Sequence, residues 1–184
     1  DKDKKTSNDM AKKYNTKSFT DYKEINQNLD AVSVCVPTKL HKDISLFFIN
    51  KGINVIVEKP IASNVEEAKI LIEAAKKNNV KLMVGHVERF NPVITEIKKR
   101  LDNNEMGKIY SITTNRFSPF PHRVIDVGVT IDLAIHDIDI IMYINKAKIK
   151  RIYAEIGQRI QASNEDMLNA IIKFENNVTG AINT

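Results

Sequence analysis

Three short apolar runs, separated by segments with helical spacing, constrain the fold of this chain most strongly. The runs cover residues 31–36, 55–57 and 80–84 and are rich in Val. Such runs are typical of parallel strands covered on both faces. The segments at 39–51 and 63–78 have the composition of helices, and the second opens with the capping-box pattern S-N-V-E. The alternation predicts a doubly wound α/β fold with three parallel strands.

Polar and rigid residues follow each predicted strand. They are Pro37-Thr38, Glu58-Lys59-Pro60 and Gly85-His86. Because parallel strands end at the same edge of a sheet, and open α/β sheets bind ligands there, we expect a binding site at this edge. The sequence V-I-V-E-K-P is the most unusual of the three, since a buried strand ends in two opposite charges and a proline.

The second half of the chain has a different pattern, and we place the boundary near residue 87. One helix opens at Asn91-Pro92, and a strongly apolar helix covers residues 129–144. The remaining predicted strands lie at 109–115, 149–156, 167–174 and 178–182, with a turn at Asn176-Asn177. The order predicts part of a Rossmann-type domain over residues 1–87, followed by an α+β domain with a mostly antiparallel sheet over residues 88–184.

The composition excludes several classes of function. The net charge is +5, but the lysines alternate with Glu and Asp and form no Arg-rich or aromatic stripe, so we expect no nucleic-acid partner. No apolar run approaches the ~20 residues of a membrane-spanning helix. The single cysteine, Cys35, excludes an internal disulfide and a Cys-based zinc site, and it favours a reducing cytoplasmic location.

The apolar helix carries the sequence D-L-A-I-H-D-I-D. Asp132 and His136 are four residues apart and share one helix face, where a carboxylate can orient an imidazole and raise its basicity. A satisfied polar pair on a buried helix has the same spacing, so the spacing alone leaves both interpretations open. A metal site built from Asp132, His136 and Asp139 is disfavoured, because no second histidine cluster completes it.

Three arginines and one asparagine are candidates for binding an anionic substrate. Guanidinium groups bind phosphate oxygens through paired hydrogen bonds, although each arginine is equally compatible with an ordinary surface position. The candidates are Arg89, Asn91, Arg116 and Arg123.

Taken in order, the motifs resemble one family of enzymes. P-T-x-x-H, E-K-P, G-H-x-E-R-F-N-P and D-V-G-x-x-x-D-L-A-I-H-D-I-D are similar to those of the Gfo/Idh/MocA family of NAD(P)-dependent sugar and inositol oxidoreductases. The similarity covers nearly the whole chain. The segments V-G-H-V-E-R-F-N-P and D-V-G-V-T-I-D-L-A-I-H-D-I-D look most like members that act on UDP-N-acetylglucosamine.

The resemblance implies a role for each motif. The Lys59 ammonium is expected beside the nicotinamide and the reacting hydroxyl, after a cis peptide bond to Pro60. Asp132 and His136 match catalytic and substrate-binding positions of the family. The residues expected to contact the cofactor are Pro37, Thr38, His41, Glu58 and Lys59.

The expected reaction is hydride transfer from a secondary hydroxyl of a sugar nucleotide, the 3-hydroxyl of UDP-N-acetylglucosamine, to NAD or NADP. Either Lys59 or His136 is the base, and Asp132 orients the site. Inositol or simple-sugar oxidation, and a non-catalytic binding role, are the alternatives.

One departure from the family pattern is large. The family begins with a strand and a G-x-G-x-x-G turn, and this chain contains no such turn. We therefore expect an internal fragment of a longer protein, which forms homo-oligomers through its C-terminal sheet.

Overall fold

The computed structural model describes residues 1–25, 28–117, 127–160 and 164–184. This part of the chain forms two compact units, Asp1–Gly85 and His86–Thr184.

The first unit contains the predicted parallel sheet. Its strands are arranged in the order β1-β2-β3, so each lies beside the next one in sequence, as short right-handed crossovers produce. Its helices are α1 (Lys4–Lys13), α2 (His41–Ile49) and α3 (Val65–Lys77), and its strands are β1 (Ala31–Val34), β2 (Asn54–Val57) and β3 (Leu82–Val84).

The core of this unit lies on one face of the sheet. Val55 is buried against Ile49 of α2 and Leu71 of α3. Ile56 and Met83, which point to the opposite face, are exposed. Both α2 and α3 contribute to the core on the Val55 face, so the described helices of this unit cover that face of the sheet.

Helix α3 begins one residue later than the S-N-V-E pattern predicts. Asn64 is the N-cap, and its Oδ1 accepts a hydrogen bond from the Glu67 amide at 2.9 Å. Glu67 Oε2 accepts from the Ser63 amide at 3.2 Å. The N-cap is thus Asn64 rather than Ser63, and the Glu67 carboxylate accepts from the amide of the residue before the cap. Asn and Ser are N-caps of similar strength, so the local sequence allowed either register.

The second unit contains a mixed sheet in the order β4-β7-β6-β5. Strands β5, β6 and β7 pair antiparallel as predicted, with Asn177 in the left-handed conformation in the turn before β7. Strand β4 pairs parallel with β7, which the alternating pattern of β4 gave no means to foresee. The strands are β4 (Ser111–Asn115), β5 (Ile149–Gly157), β6 (Met167–Phe174) and β7 (Thr179–Asn183).

Two helices accompany this sheet, α4 (Pro92–Asp102) and α5 (Ile135–Asn145). The core of the unit contains Ile141 of α5, Phe174 and Ile182. A Cβ atom at Gly180 would lie 3.4 Å from Ile141 Cγ2, so the small residue allows α5 to approach the sheet. None of the helices in the described ranges is long and apolar enough to cross a bilayer.

Candidate active site

The carboxyl ends of the three parallel strands meet at one edge of the first unit. The Glu58 amide donates to Val34 O at 3.1 Å, and the Gly85 amide donates to Val57 O at 2.8 Å. These bonds continue the sheet pairing into the residues that follow β2 and β3. The Glu58-Lys59-Pro60 and Gly85-His86 motifs therefore begin side by side, as the sequence predicted.

The E-K-P turn is shaped by its neighbour Gly85. The Lys59–Pro60 peptide bond is cis. The Glu58 carboxylate lies over the end of β3, where a Cβ atom at Gly85 would be 3.2 Å from Glu58 Oε2. The Lys59 amide also donates to that oxygen at 3.3 Å. Glu58 thus packs on the strand end, and the missing side chain at Gly85 provides the space.

His41 lies behind the turn. Its ring is only 1% exposed, with Nδ1 2.8 Å from Pro60 O and Nε2 2.8 Å from Val36 O. The resemblance to the family implied a residue along the cofactor. In the structure both ring nitrogens contact main-chain oxygens. His41 therefore holds the segments around Val36 and Pro60 in position at the carboxyl edge.

Pro37 and Thr38 form the turn that leads from β1 into α2. The Leu40 amide donates to Pro37 O at 2.8 Å and closes a short 3₁₀ turn. Pro37 is exposed and Thr38 is half-buried. That these residues and Lys59 lie along the nicotinamide side of a bound dinucleotide stays a prediction. The 184 residues contain no G-x-G-x-x-G turn, which is the element that holds a pyrophosphate.

In the second unit, Asp132 lies within a π-helical turn, and His136 lies just after it at the start of α5. Residues Thr130–Ala134 form a π-helical turn that leads into α5. Gly128 O accepts from the amides of both Ile131, at 3.1 Å, and Asp132, at 3.0 Å. Single π-turns inside helices often occur at functional sites. Both Asp132 and His136 are half-buried.

Glu165 holds the start of this turn, and the sequence analysis did not identify it. The Glu165 main-chain oxygen accepts from the Val129 amide at 3.1 Å, and its Oε1 accepts from the Thr130 amide at 3.2 Å. A Cβ atom at Gly128 would lie 2.0 Å from Glu165 Oε2. The D-V-G motif was the only available signal, because a glycine before a helix indicates a close approach.

Two of the predicted substrate-binding arginines form ion pairs with α5. Arg89 donates to Asp139 through Nε at 2.8 Å and Nη2 at 2.6 Å. Arg116 donates to Asp137 through Nε at 2.8 Å and Nη2 at 3.2 Å. Hydrogen bonds to these carboxylates raise the pKa of both Arg89 and Arg116 above the ordinary value. In this structure both guanidinium groups are bound to carboxylates of α5. Binding of a diphosphate by these arginines stays a prediction.

The other candidates have different positions. Asn91 is the N-cap of α4: its Oδ1 accepts from the Val93 amide at 3.1 Å, and its Nδ2 donates to Glu88 Oε2 at 3.0 Å. Arg123 lies outside the described residues. Within the described residues, no group of three or more His, Cys, Asp or Glu side chains is placed to hold a metal ion.

The parallel sheet, with polar turns along its carboxyl edge, places the first unit in the class of doubly wound, dinucleotide-binding folds. Comparison with protein families agrees. Residues 1–86 match an oxidoreductase family with an NAD-binding Rossmann fold, and residues 94–184 match the GFO/IDH/MocA C-terminal domain. The chain belongs to the Gfo/Idh/MocA oxidoreductase family. This confirms the family and the cofactor type that the motifs indicated.

Individual relatives divide between substrates. UDP-N-acetylglucosamine 3-dehydrogenase from Acidithiobacillus ferrooxidans is 27% identical over 91% of this chain and 52% of its own. Myo-inositol 2-dehydrogenase from Thermotoga maritima is 28% identical over 90% and 53%. The chain thus spans about half the length of these curated relatives. The WlbA dehydrogenase from Bordetella pertussis, solved with NADH and UDP-GlcNAcA, shares the fold at a TM-score of 0.90 with 23% identity, over 100% of this chain and 57% of its own.

Proposed function

We propose that the whole protein is an NAD-dependent dehydrogenase that oxidises a secondary hydroxyl of a sugar nucleotide. One observation carries the proposal. A chain of this oxidoreductase family combines Lys59, at a cis turn on the carboxyl edge of its Rossmann sheet, with Asp132 and His136 on a π-turned helix. That is an ammonium, an imidazole and a carboxylate, groups that can remove the proton of an alcohol and stabilise the charge on its oxygen.

In the proposed reaction His136 and Lys59 meet the same hydroxyl oxygen. His136 takes the hydroxyl proton as general base, and the Lys59 ammonium stabilises the negative charge that develops on the oxygen. Lys59 as the base is the alternative assignment. Asp132 precedes His136 by one turn and orients it. NAD, when bound, supplies the hydride acceptor.

The 3-hydroxyl of UDP-N-acetylglucosamine is the proposed site of oxidation. The similarity to a 3-dehydrogenase of that compound supports it. Of the paired arginines, Arg89 keeps 43% of its side chain exposed, against 31% for Arg116, so Arg89 is the one that a diphosphate reaches more easily. Arg123 and Asn91 remain proposed contacts of the same substrate.

Inositol oxidation is the second candidate. The inositol dehydrogenase is as similar in sequence as the sugar-nucleotide enzyme. The engagement of Arg89 and Arg116 with Asp139 and Asp137 also favours it, because an uncharged substrate needs no free guanidinium. A non-catalytic role fits less well with the presence of Lys59, Asp132 and His136 together.

A substrate panel separates these candidates. The full-length protein is assayed with NAD and with NADP against UDP-N-acetylglucosamine, other UDP-sugars, free N-acetylglucosamine and inositols. The proposal expects turnover with the UDP-sugar and little with the free sugar. Arg89→Ala is then expected to raise KM for the UDP-sugar, while Arg100→Ala, which removes an exposed arginine of α4 paired with Glu96, leaves it unchanged. Faster turnover of inositol than of any UDP-sugar would favour the second candidate.

Self-association through the second sheet is proposed for the whole protein. Tyr153 and Ile171 are cross-strand neighbours and both are exposed, at 63% and 53%. An exposed apolar pair in the middle of a sheet face is more typical of an interface than of a solvated surface. Light scattering of the full-length protein is expected to give an oligomer, and Ile171→Lys to give a smaller species. An unchanged mass would contradict this use of the face.

A further inference from the structure

The guanidinium group of Arg116 lies between two carboxylates. Its Nε and Nη2 donate to the two oxygens of Asp137, and its Nη1 is 3.8 Å from Glu88 Oε1. Glu88 is held in turn, because its other carboxylate oxygen accepts from Asn91 Nδ2 at 3.0 Å. One cation is therefore shared by two anions, and this cluster carries a net negative charge.

This charge distinguishes Arg116 from Arg89. Arg89 pairs with the single carboxylate of Asp139, so that pair is neutral. A phosphate group that approached Arg116 would meet the excess negative charge of Glu88 and Asp137, and like charges at short range repel. The Arg116 side chain is also the less exposed of the two. Arg116 is therefore poorly suited to bind a diphosphate, although its residue type suggested that role.

Both ends of Arg116 are fixed within the second unit. Its amide donates to Asn183 O at 2.9 Å, which continues the pairing of β4 with β7 by one residue. Its side chain reaches Asp137 in the first turn of α5. Asp137 is buried and directly follows His136 in the chain. Arg116 thus connects the sheet to α5 at the residue next to the candidate base.

The start of α5 has no side-chain cap of its own that could hold it in this way. Val129, which precedes the π-helical turn, and Ala134, which precedes α5, make no side-chain cap hydrogen bond. Glu165 binds the amide of Thr130, six residues before His136. The contact with Arg116 therefore fixes the rotation of the first turn of α5 about its axis, and any rotation of that turn carries the His136 imidazole with it.

We propose that Arg116 is a positioning residue: held by Glu88 and Asp137, it sets the orientation of His136 and does not contact the substrate. The consequence for turnover rests on the proposed function. The consequence for the orientation of the imidazole does not, and the two are tested separately.

The structural test uses nuclear magnetic resonance of the full-length protein with ¹³C-labelled histidine rings, in which His136→Asn assigns the His136 signals. We expect Arg116→Ala to shift or broaden these signals, and guanidinium chloride at non-denaturing concentrations to restore them by filling the vacated position. The signals of His41, in the first unit, should not change. Arg100→Ala is the matched control and should leave His136 unaffected, because Arg100 pairs with Glu96 on the surface of α4. His136 signals at their wild-type positions in Arg116→Ala would overturn the proposal.

Arg116→Lys covers the case in which Arg116→Ala does not fold. It retains the positive charge but not the planar pair of donors that matches the Asp137 carboxylate. Its His136 signals should also move, by less than in a folded Arg116→Ala. Wild-type His136 signals in Arg116→Lys together with unfolding of Arg116→Ala would overturn the proposal, because Arg116 would then serve stability alone.

The kinetic test separates positioning from substrate binding. A small displacement of a reacting group costs about 10²-fold in rate. We therefore expect kcat, normalised to the folded fraction, to fall by about that factor in Arg116→Ala, with little change in KM for UDP-N-acetylglucosamine and with partial recovery in guanidinium chloride. Arg100→Ala should show neither the loss nor the recovery. A raised KM with wild-type kcat in Arg116→Ala would make Arg116 a substrate contact and overturn the proposal. Absence of sugar-nucleotide turnover in the wild type would refute the proposed function and leave the resonance test decisive.

Discussion

At the scale of the single residue, the second unit shows how a buried charge is accommodated. Asp137 is 4% exposed and Asp139 is 8% exposed, yet each accepts two hydrogen bonds from one guanidinium. Buried carboxylates are tolerated when their oxygens are satisfied in this way. A lysine would not reproduce the planar pair of donors, so Arg89 and Arg116 are not replaceable on charge alone.

Asp137→Ala is predicted to lower the free energy of unfolding by about 1–3 kcal/mol, because it removes two charge-assisted hydrogen bonds of Arg116 and leaves only the Glu88 carboxylate, at 3.8 Å, beside it. Glu96→Ala is the matched control. It breaks the exposed pair with Arg100 on α4 and is expected to cost about 0.5 kcal/mol or less. Urea denaturation of both variants measures the difference. Equal, small losses would mean that the Arg116–Asp137 pair contributes no more than a surface pair.

At the scale of the element, the register of the α3 cap is open to direct measurement. Asn64→Ala removes the acceptor of the Glu67 amide and is expected to cost about 1 kcal/mol of stability. Ser63→Ala should cost almost nothing, because Ser63 contributes its main-chain amide to the pair and not its hydroxyl. Thermal and chemical denaturation decide between them. A larger loss in Ser63→Ala would restore the register that the S-N-V-E pattern predicted.

The wide turn before α5 is predicted to depend on the contact between Gly128 and Glu165. Gly128→Ala places a methyl group where Glu165 Oε2 now lies, and such overpacking costs about 1–3 kcal/mol. Glu165→Ala loses the acceptor of the Thr130 amide but removes the obstacle. The double variant should therefore be less destabilised than the sum of the single variants, by about 0.5–3 kcal/mol. Strict additivity, measured by denaturation, would show that the two residues are not in contact.

Elements whose partners are close in sequence were predicted best. The parallel order of β1, β2 and β3 follows from short helical connections, and the E-K-P turn follows from its position after β2. The parallel pairing of β4 with β7 and the contact of Glu165 with Gly128 join segments far apart in the chain. A single sequence contains no local pattern for such pairs, and they are decided by packing.

At the scale of the whole molecule, each compact unit supplies part of the proposed chemistry. The first unit carries Lys59 on a Rossmann sheet edge, and the second carries Asp132 and His136. Sequence motifs identified these residues because their types and order are characteristic of the family. Arg89 and Arg116 were assigned to substrate binding from their residue type alone. The spacing of the sequence did not indicate that Asp139 and Asp137 are their ion-pair partners.

A double-mutant experiment on the full-length protein tests whether the two units act on one hydroxyl. Lys59→Met keeps the length and apolar packing of the stem but removes the ammonium, so turnover should fall about 10²–10⁴-fold while sugar-nucleotide binding changes little. The turnover of His136→Asn should fall by a comparable factor. The combined variant should lose less than the product of the two factors, because groups that serve one oxygen act as a unit. Steady-state kinetics with UDP-N-acetylglucosamine and NAD, with separate binding titrations, measure all three variants. Lys59→Met with near-normal turnover would reduce E-K-P to a structural turn, and fully multiplicative losses would mean that Lys59 and His136 serve independent steps.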